Sequence, residues 1–256
     1  MAEPIVIYEV KDQIAYITLN RPEKLNVFNI ELAYTLRDTW NRFENDPDVL
    51  VAILSGAGRA FSAGADITPG VLDSKKSWQP HQAYPANGKT IFKPIVGAIH
   101  GYAYGQSYFL AVHGCDITIA ADNTEFGFPE ARVGVAIPPI NYLPYLPFKI
   151  SMEVLLLGWN GGRLMNAQRA YEVGIVNRVV PLAELMDEAR RWAEMFKKIP
   201  PLYVRSIKYG YYKSAQRTGV TEKEYVDFIL PQEESEDIIE GRKAFVEKRE
   251  PRFKGK

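Results

Sequence analysis

Residues 14–55 read IAYITLNRPEKLNVFNIELAYTLRDTWNRFENDPDVLVAILS, a strand, a helix and a second strand in that order. Ile14–Leu19 and Val49–Ser55 are rich in apolar and β-branched residues, which is typical of strands. Between them, Asn29 is positioned to cap a helix that ends before Pro47. Apolar residues of this helix recur at three-to-four spacing, at Leu32, Leu36, Trp40 and Phe43. The order strand, helix, strand predicts a parallel sheet with right-handed crossovers.

The flanking sequence extends this α/β pattern. Ile5–Val10 precedes Ile14–Leu19 as the first strand of a hairpin, and Pro94–Ile99, Asp116–Ala121 and Ile175–Val180 predict further strands, the last at a sheet edge. From Leu182 onward only helices are expected. We therefore predict an α/β core over residues 1–181 and a helical region over 182–256. The other predicted helices start near Gln106 and cover Met152–Leu157, Asn166–Val173, Leu185–Phe196, Leu202–Arg217, Thr221–Ile229 and Ser235–Lys248.

Composition argues against several classes of protein. Lys plus Arg and Asp plus Glu both total 31, so the net charge is zero and nothing points to a nucleic-acid or membrane-surface partner. The single cysteine, Cys115, excludes an internal disulfide and is expected to be a buried hydrophobe. The first residues lack the plan of a signal peptide, and no apolar run is long enough to span a membrane. A soluble cytoplasmic protein is the expectation.

Two turns rich in small residues follow predicted strands, at Gly56–Asp66 and at His100–Ser107. Small residues let the backbone approach a ligand and leave amide groups exposed. The first segment alone is more typical of an ordinary tight turn. If the two turns lie on neighbouring parallel strands, their amides could converge as an oxyanion hole.

Glu130 is the carboxylate that the sequence singles out. It follows the strand Asp116–Ala121, a turn at Asp122-Asn123 and the apolar run Phe126–Pro129. Apolar surroundings disfavour the charged form of a carboxylate and produce a base that works near neutral pH. The residues alone therefore indicate that Glu130 is either a base for catalysis or a purely structural carboxylate.

Other chemistries find little support. His100 and His113 lack a nearby nucleophile motif, no set of metal ligands is recognisable, and no Walker-type or Gly-x-Gly-x-x-Gly motif is present. Thr68–Lys89 has no steady periodicity and is interpreted as a long loop that covers a substrate, with His81 in it solvated.

Seven motifs in this order resemble the crotonase (enoyl-CoA hydratase/isomerase) superfamily, over nearly the whole chain. They read LNRP with Leu25-Asn26, GRAFSAGADI at 58–67, IHGYAYG at 99–105, Cys115-Asp116 with Ala120-Ala121, EFGFPE at 125–130, Ala170 with GIVN at 174–177, and Glu240-Gly241 with AFVEKR at 244–249. The resemblance implies a crotonase-like ββα spiral core with a C-terminal helical region.

The resemblance also implies a site for an acyl-CoA thioester, with no cofactor other than the CoA of the substrate. The backbone amides of Ala65 and Gln106 would bind the thioester oxygen, with Glu130 as the catalytic carboxylate. A homotrimer or a dimer of trimers would place the helical tail at subunit contacts. The residues implied in binding substrate or CoA are Lys24, Leu25, Ala63, Ala65, Asp66, Ile67, Phe109, Asn141, Phe245 and Lys248.

This chain departs from the family hydratases in the helix after the second turn. Those hydratases read Gly-Gly-Gly-x-Glu-Leu-Ala there, and their Glu is one of two catalytic carboxylates. Here the sequence is GQSYFLA from Gly105, and two registers put either Phe109 or Leu110 at the Glu position. Neither register supplies an acid or a base. Asn141, Tyr142 and Tyr145 replace a glycine-rich run, which predicts a bulkier acyl pocket.

The expected activity is therefore that of an enoyl-CoA hydratase that works with one carboxylate, in fatty acid metabolism. A double-bond isomerase is a close alternative, because a single carboxylate can shuttle one proton. An acyl-CoA hydrolase or a C–C lyase of the same family is a further alternative. A non-catalytic acyl-CoA binder is the remaining one, since loss of a catalytic carboxylate is how such a protein would begin.

Overall fold

The computed structural model describes residues 3–67, 83–85, 90–132, 134, 146–156, 164–215 and 236–249. They form two compact units, each made of two stretches of chain. The first unit comprises residues 1–126 and 166–217, and the second comprises residues 127–165 and 218–256. The functional division at residue 181 stays a prediction.

A six-stranded sheet forms the centre of the first unit. Its order is β1-β2-β3-β4-β6-β9, with β1 and β2 antiparallel and every later pair parallel. The parallel pairing predicted from the strand–helix–strand pattern is confirmed. The strands are β1 Val6–Lys11, β2 Ile14–Leu19, β3 Val51–Gly56, β4 Ile95–Ile99, β6 Ile117–Ala121 and β9 Arg178–Val180.

Three short strands belong to a second sheet, in the order β5-β7-β8. They are β5 Tyr102–Tyr104, β7 Glu125–Gly127 and β8 Met165–Asn166. The sequence predicted only a turn at β5. The strand forms because Tyr102 O and Tyr104 N bond to Ser62, and because Glu125 N donates to Gly101 O at 2.7 Å.

Helices of the first unit start where the sequence predicts caps and breaks. α1 (Ile30–Asn45) begins after Asn29, whose Oδ1 accepts the Leu32 N–H at 2.8 Å, and ends before Pro47. The remaining helices of this unit are α2 Gln106–Val112, α4 Ala167–Glu172, α5 Leu185–Phe196 and α6 Pro201–Ala215. No helix among the described residues is both long and apolar enough to cross a membrane.

The core of the first unit lies between the large sheet and α5. Alternate strand residues such as Val51 and Ile53 face Leu185, Ala189 and Ala193 of the helix, and all are buried. Small alanines on α5 let the helix lie close to the sheet. Burial of such side chains contributes about 25 cal/mol per Å² of apolar surface and is the main source of stability.

A buried lysine joins α6 to the sheet. Lys208 Nζ lies 2.8 Å from Asp116 Oδ2 and 3.0 Å from the Lys93 carbonyl, and Asp116 Oδ2 also accepts the Ile95 N–H at 2.8 Å. The Lys208 side chain is 7% exposed. Because one partly buried carboxylate joins β4, the start of β6 and α6, it holds the strand ends in register.

The second unit contains two described α-helices, α3 (Phe148–Leu156) and α7 (Glu236–Val246). α3 starts four residues earlier than predicted, because Ile150 N and Ser151 N donate to the Pro147 carbonyl. Arg249 follows α7 and forms an ion pair with Glu240 at 2.6 Å.

Strand β9 is shorter than the predicted Ile175–Val180. Gly174 adopts φ 78°, and the amides of Ile175 and Val176 then bond to the Ala170 carbonyl at 2.8 and 3.2 Å. The amides of these two residues therefore bond to a carbonyl of α4 and do not pair in the sheet. The predicted helix Thr221–Ile229 lies outside the described residues.

Candidate active site

The first small-residue turn follows β3 and is held against the loop at residues 21–28. Asn26 is fully buried, and its Nδ2 donates to the carbonyls of Ala57 and Ala60, both at 2.9 Å. Its Oδ1 accepts the Arg21 N–H at 2.7 Å. One side chain thus fixes the path of both loops.

The predicted CoA-binding residues of these two loops lie side by side. Ala63 N donates to Leu25 O at 3.0 Å, and Phe28 forms a parallel bridge with Ala65. Lys24 and Ile67 are exposed, and Asp66 pairs with Arg21 at 3.9 Å. The structure therefore brings together Lys24, Leu25, Ala63, Ala65, Asp66 and Ile67, as one CoA site would require.

The second turn joins β4 and β5 to α2. Gly105 precedes the helix at φ 52° and ψ −117°, a conformation that a side chain would strain. Gln106 is then the first residue of α2.

The two turns meet in space. Ser62 N donates to Tyr102 O at 2.8 Å, and Tyr104 N donates to Ser62 O at 3.2 Å. Gly64 has φ 95°, and a Cβ placed on it would lie 2.8 Å from Tyr104 O and 3.9 Å from Gln106 N. Only glycine allows this approach, so the sequence expectation of two convergent turns is confirmed at this point.

The amides of Ala65 and Gln106 stand out at this junction. Within the described part of the chain, neither N–H donates a hydrogen bond to another residue. Their neighbours are satisfied, since Asp66 N donates to Phe28 O and Gly64 N donates to Ser62 Oγ. Two amide donors that lack an acceptor, on two turns in contact, form an arrangement suited to an anionic oxygen.

Two further side chains that hold the second turn, one in the turn and one outside it, were not identified by sequence reasoning. Ser107 is buried, and its Oγ lies 2.7 Å from Ser62 O and 2.8 Å from Tyr104 O. Tyr84 belongs to a segment interpreted as a loop, yet its hydroxyl donates to Gln106 O at 2.9 Å. Both are contacts between distant parts of the chain, and no local pattern signals them.

Helix α2 carries apolar side chains where a second carboxylate would stand. Phe109 is 3% exposed, and its ring lies edge-on to Tyr84 and Tyr108 and stacks on His113. Leu110 is fully buried. Burial lowers the pKa of His113 to about 4, so this imidazole is neutral at physiological pH. Neither residue at the Glu position supplies an acid or a base.

Cys115 lies just before β6 and is buried, as predicted. Its Sγ lies 3.6 Å from Leu110 O. Burial, and secondarily the Asp116 charge, raise the pKa of the thiol well above its usual range. This cysteine is a core residue and not a nucleophile.

Glu130 lies in the second unit, in the 3₁₀ helix Pro129–Arg132. The residue is partly exposed as a whole, but its Oε2 is buried, and no described residue donates a hydrogen bond to that atom. Burial raises the pKa of Glu130 to about 7, against a smaller opposing effect of a backbone hydrogen bond. Its pKa therefore suits a group that exchanges a proton near neutral pH.

The remaining predicted residues are placed in part. Phe245 lies near the end of α7 and is 55% exposed, and Lys248, also exposed, donates its N–H to Phe245 O at 3.2 Å. Asn141 lies outside the described residues, as do Tyr142, Tyr145 and most of Thr68–Lys89. A group of three potential metal ligands is absent from the part of the chain that the structure describes.

Comparison with known proteins gives consistent matches. A family model described as enoyl-CoA hydratase/isomerase matches residues 9–256. The (E)-benzylidenesuccinyl-CoA hydratase of Thauera aromatica is 34% identical, with 98% of this chain and 99% of that protein covered. The carnitinyl-CoA dehydratase of Escherichia coli K12 is 35% identical, with 95% of each covered.

A solved structure agrees with these sequence matches. The crystal structure of carnitinyl-CoA hydratase from Mycobacterium avium aligns with a TM-score of 0.83 at 28% identity, over 100% of both chains. The crotonase-like α/β fold predicted from the sequence is confirmed by this likeness.

Proposed function

Because the chain belongs to the enoyl-CoA hydratase/isomerase family, we propose that it is an enoyl-CoA hydratase-like enzyme. It adds water to an unsaturated acyl-CoA thioester, or removes water from the hydrated product. Relatives named as a hydratase and as dehydratases of CoA thioesters support this choice of reaction.

The observation that carries the proposal is the pair of amides at the junction of the two turns. Ala65 N and Gln106 N have no acceptor among the described residues, and Gly64 permits the close approach of their turns. As the β-carbon of an enoyl thioester is attacked, negative charge develops on the thioester oxygen. Each amide donor at such a position is worth about 3 kcal/mol of transition-state stabilisation.

Glu130 is the proposed proton carrier. In hydration its carboxylate takes a proton from water as the water oxygen bonds to the β-carbon, and the electron pair of the double bond moves onto the thioester as an enolate. The carboxylic acid then returns a proton to the α-carbon. A pKa of about 7 supports both roles, because the carboxyl is poised to accept and to release a proton near neutral pH.

A double-bond isomerase is the second candidate, favoured by Phe109 and Leu110. Both are buried, and neither supplies the second carboxylate that positions water in the two-carboxylate hydratases. One carboxylate suffices to remove a proton at one carbon and return it to another. Hydrolysis or C–C cleavage on the same site, and acyl-CoA binding without turnover, are the remaining alternatives.

The test is turnover of a panel of enoyl-CoA esters, with products separated by mass and by double-bond position. A hydrated product is expected from the wild type, and Glu130→Gln should lose most of the rate. A positional isomer without hydration would favour the isomerase. Binding without turnover by the wild-type protein would reject an enzymatic role.

CoA contacts are proposed for the two loops that carry Lys24 and Ile67, and for Phe245 and Lys248. Their support is the adjacency of the two loops and the exposure of Lys248. No cofactor other than the CoA of the substrate is proposed.

A homotrimer or dimer of trimers is also proposed. Several large apolar residues are more than half exposed, including Leu202 and Tyr203 on α6 and Ile239 and Val246 on α7. Such faces favour contact with other subunits. Light scattering coupled to size exclusion measures the mass directly, and a monomer would reject this assembly. A cytoplasmic location and a role in fatty acid metabolism are also proposed.

A further inference from the structure

Ser107 connects the two turns of the candidate active site through its hydroxyl group. The side chain is fully buried at the second position of α2, and its Oγ lies 2.7 Å from Ser62 O and 2.8 Å from Tyr104 O. A hydroxyl carries one hydrogen, so it donates to one carbonyl at a time. One acceptor belongs to the first turn and the other to the second.

The bond to Ser62 spans 45 residues of sequence and joins the segments that carry the two amide donors. Ala65 is three residues beyond Ser62, and Gln106 directly precedes Ser107. Between Ser62 and Ala65, the turn is held by Gly64 N, which donates to Ser62 Oγ at 3.2 Å. A movement of Ser62 relative to Ser107 would therefore move one donor relative to the other.

The α2 helix does not need this hydroxyl for its own hydrogen bonds. At the other end of the same helix, Thr118 of β6 makes a similar buried bond, from Oγ1 to Ala111 O at 2.6 Å. That bond holds the helix to the large sheet, whereas the Ser107 bond reaches the turn after β3.

We propose that Ser107 is a positioning residue, which sets the separation and direction of the Ala65 and Gln106 amides by tying their turns together. The inference rests on the proposed oxyanion site. It adds that the geometry of this main-chain site depends on one side chain that does not itself touch the substrate.

The expected result of Ser107→Ala is a kcat about fivefold lower on an enoyl-CoA substrate, because misaligned amides should weaken their bonds to the transition state by the equivalent of one net hydrogen bond. KM should change little, because CoA is held by other residues. The matched control is Thr118→Val, which removes a buried hydroxyl bond of the same helix. It should lower thermal stability without this loss of kcat.

A second measurement does not depend on turnover. Butyryl-CoA, isotope-labelled at its carbonyl carbon, contains no double bond to hydrate, and infrared difference spectroscopy reports its C=O stretch. When butyryl-CoA binds to the wild type, hydrogen bonds from the two amides should polarise its carbonyl and lower this frequency. In Ser107→Ala the frequency should return toward that of the free thioester, and in Thr118→Val it should not.

The outcomes separate this inference from the proposed function. A wild-type carbonyl shift that depends on Ser107, with no turnover of any enoyl-CoA, would reject hydration and retain Ser107 as a positioning residue. An unchanged kcat and carbonyl frequency in Ser107→Ala would overturn the inference, and so would an equal loss in Thr118→Val or the absence of any shift in the wild type. Should Ser107→Ala not fold, Ser107→Cys keeps a side chain of the same shape that is slightly larger and a weaker donor, and the same readouts decide.

Discussion

Replacing Glu130 by glutamine should make the protein more stable and inactive at the same time. The pKa of Glu130 rises from its ordinary 4.5 to about 7 because the carboxyl is buried. A change of one in pKa corresponds to about 1.4 kcal/mol. With an allowance for the partly exposed side chain, ionising Glu130 costs the folded state about 2–3 kcal/mol. Glutamine has nearly the same shape and cannot ionise, so it removes this cost.

The sign of the pH dependence follows from which state holds the proton more tightly. Below pH 4.5 the carboxyl is protonated in the folded and the unfolded chain, and its ionisation costs no stability. As the pH rises toward 7, the unfolded chain ionises first, so the contribution of Glu130 to stability falls until the full cost is reached above pH 7. Glu130→Gln should therefore match the wild type near pH 4 and exceed it by about 2–3 kcal/mol at pH 8.

Urea denaturation at the two pH values measures the difference in free energy of unfolding. Activity provides the second readout. Because the ionised carboxylate is the active form, kcat/KM of the wild type should rise about tenfold per pH unit below pH 7 and level off above it. The glutamine variant should lose about 10²- to 10⁴-fold, the usual contribution of a general base. Glu172→Gln, at an exposed carboxylate of α4, is the control and should change neither quantity. The reasoning fails if Glu130→Gln is no more stable than the wild type at pH 8, or if it remains active.

Three further variants test the packing around the site. Gly64→Ala should abolish turnover, because the new methyl group would lie 2.8 Å from Tyr104 O and force the two turns apart; retained kcat would contradict this contact. Lys208→Met should destabilise the protein by about 3–5 kcal/mol, since it leaves the Asp116 carboxylate partly buried without its cation, and a loss of less than about 1 kcal/mol in the free energy of unfolding, measured by urea denaturation, would reject the role of this ion pair. Phe109→Ala should lower the unfolding free energy by about 3–5 kcal/mol in the same denaturation assay because the ring is 3% exposed, and a neutral effect would mean that the core adjusts to fill the cavity.

Local signals explain what the sequence predicted well. The Asn29 cap and Pro47 bound α1, and the apolar runs Ile14–Leu19 and Val49–Ser55 became parallel strands. These features depend on a few neighbouring residues, whose propensities agree with the fold. The apolar residues beside Glu130 indicated its buried carboxyl oxygen in the same way, and its catalytic role stays a prediction.

Contacts between distant segments explain what the sequence could not predict. Tyr102–Tyr104 became a strand because Ser62, forty residues earlier in the chain, supplies bonding partners. Tyr84 sits in a stretch with no periodicity, yet the Trp40 indole donates to the adjacent Ala83 carbonyl at 2.7 Å and holds that part of the chain. Ile175 and Val176 have strand-forming side chains, but their amides donate hydrogen bonds to the Ala170 carbonyl and not to a neighbouring strand. In the first two cases a bond to a distant segment decides the structure, and in the third a bond to the end of α4 outweighs local strand propensity.

The donors that we propose at Ala65 and Gln106 are part of the main chain, and this affects how such an enzyme can diverge. Every encoded residue except proline carries an amide N–H, so a point mutation at either position leaves the donor in place. This chain has glutamine at 106, where the family hydratases have glycine. Natural variation can thus reshape the space around an acyl group by exchanging side chains at these positions, while the chemistry of the oxyanion site is inherited unchanged.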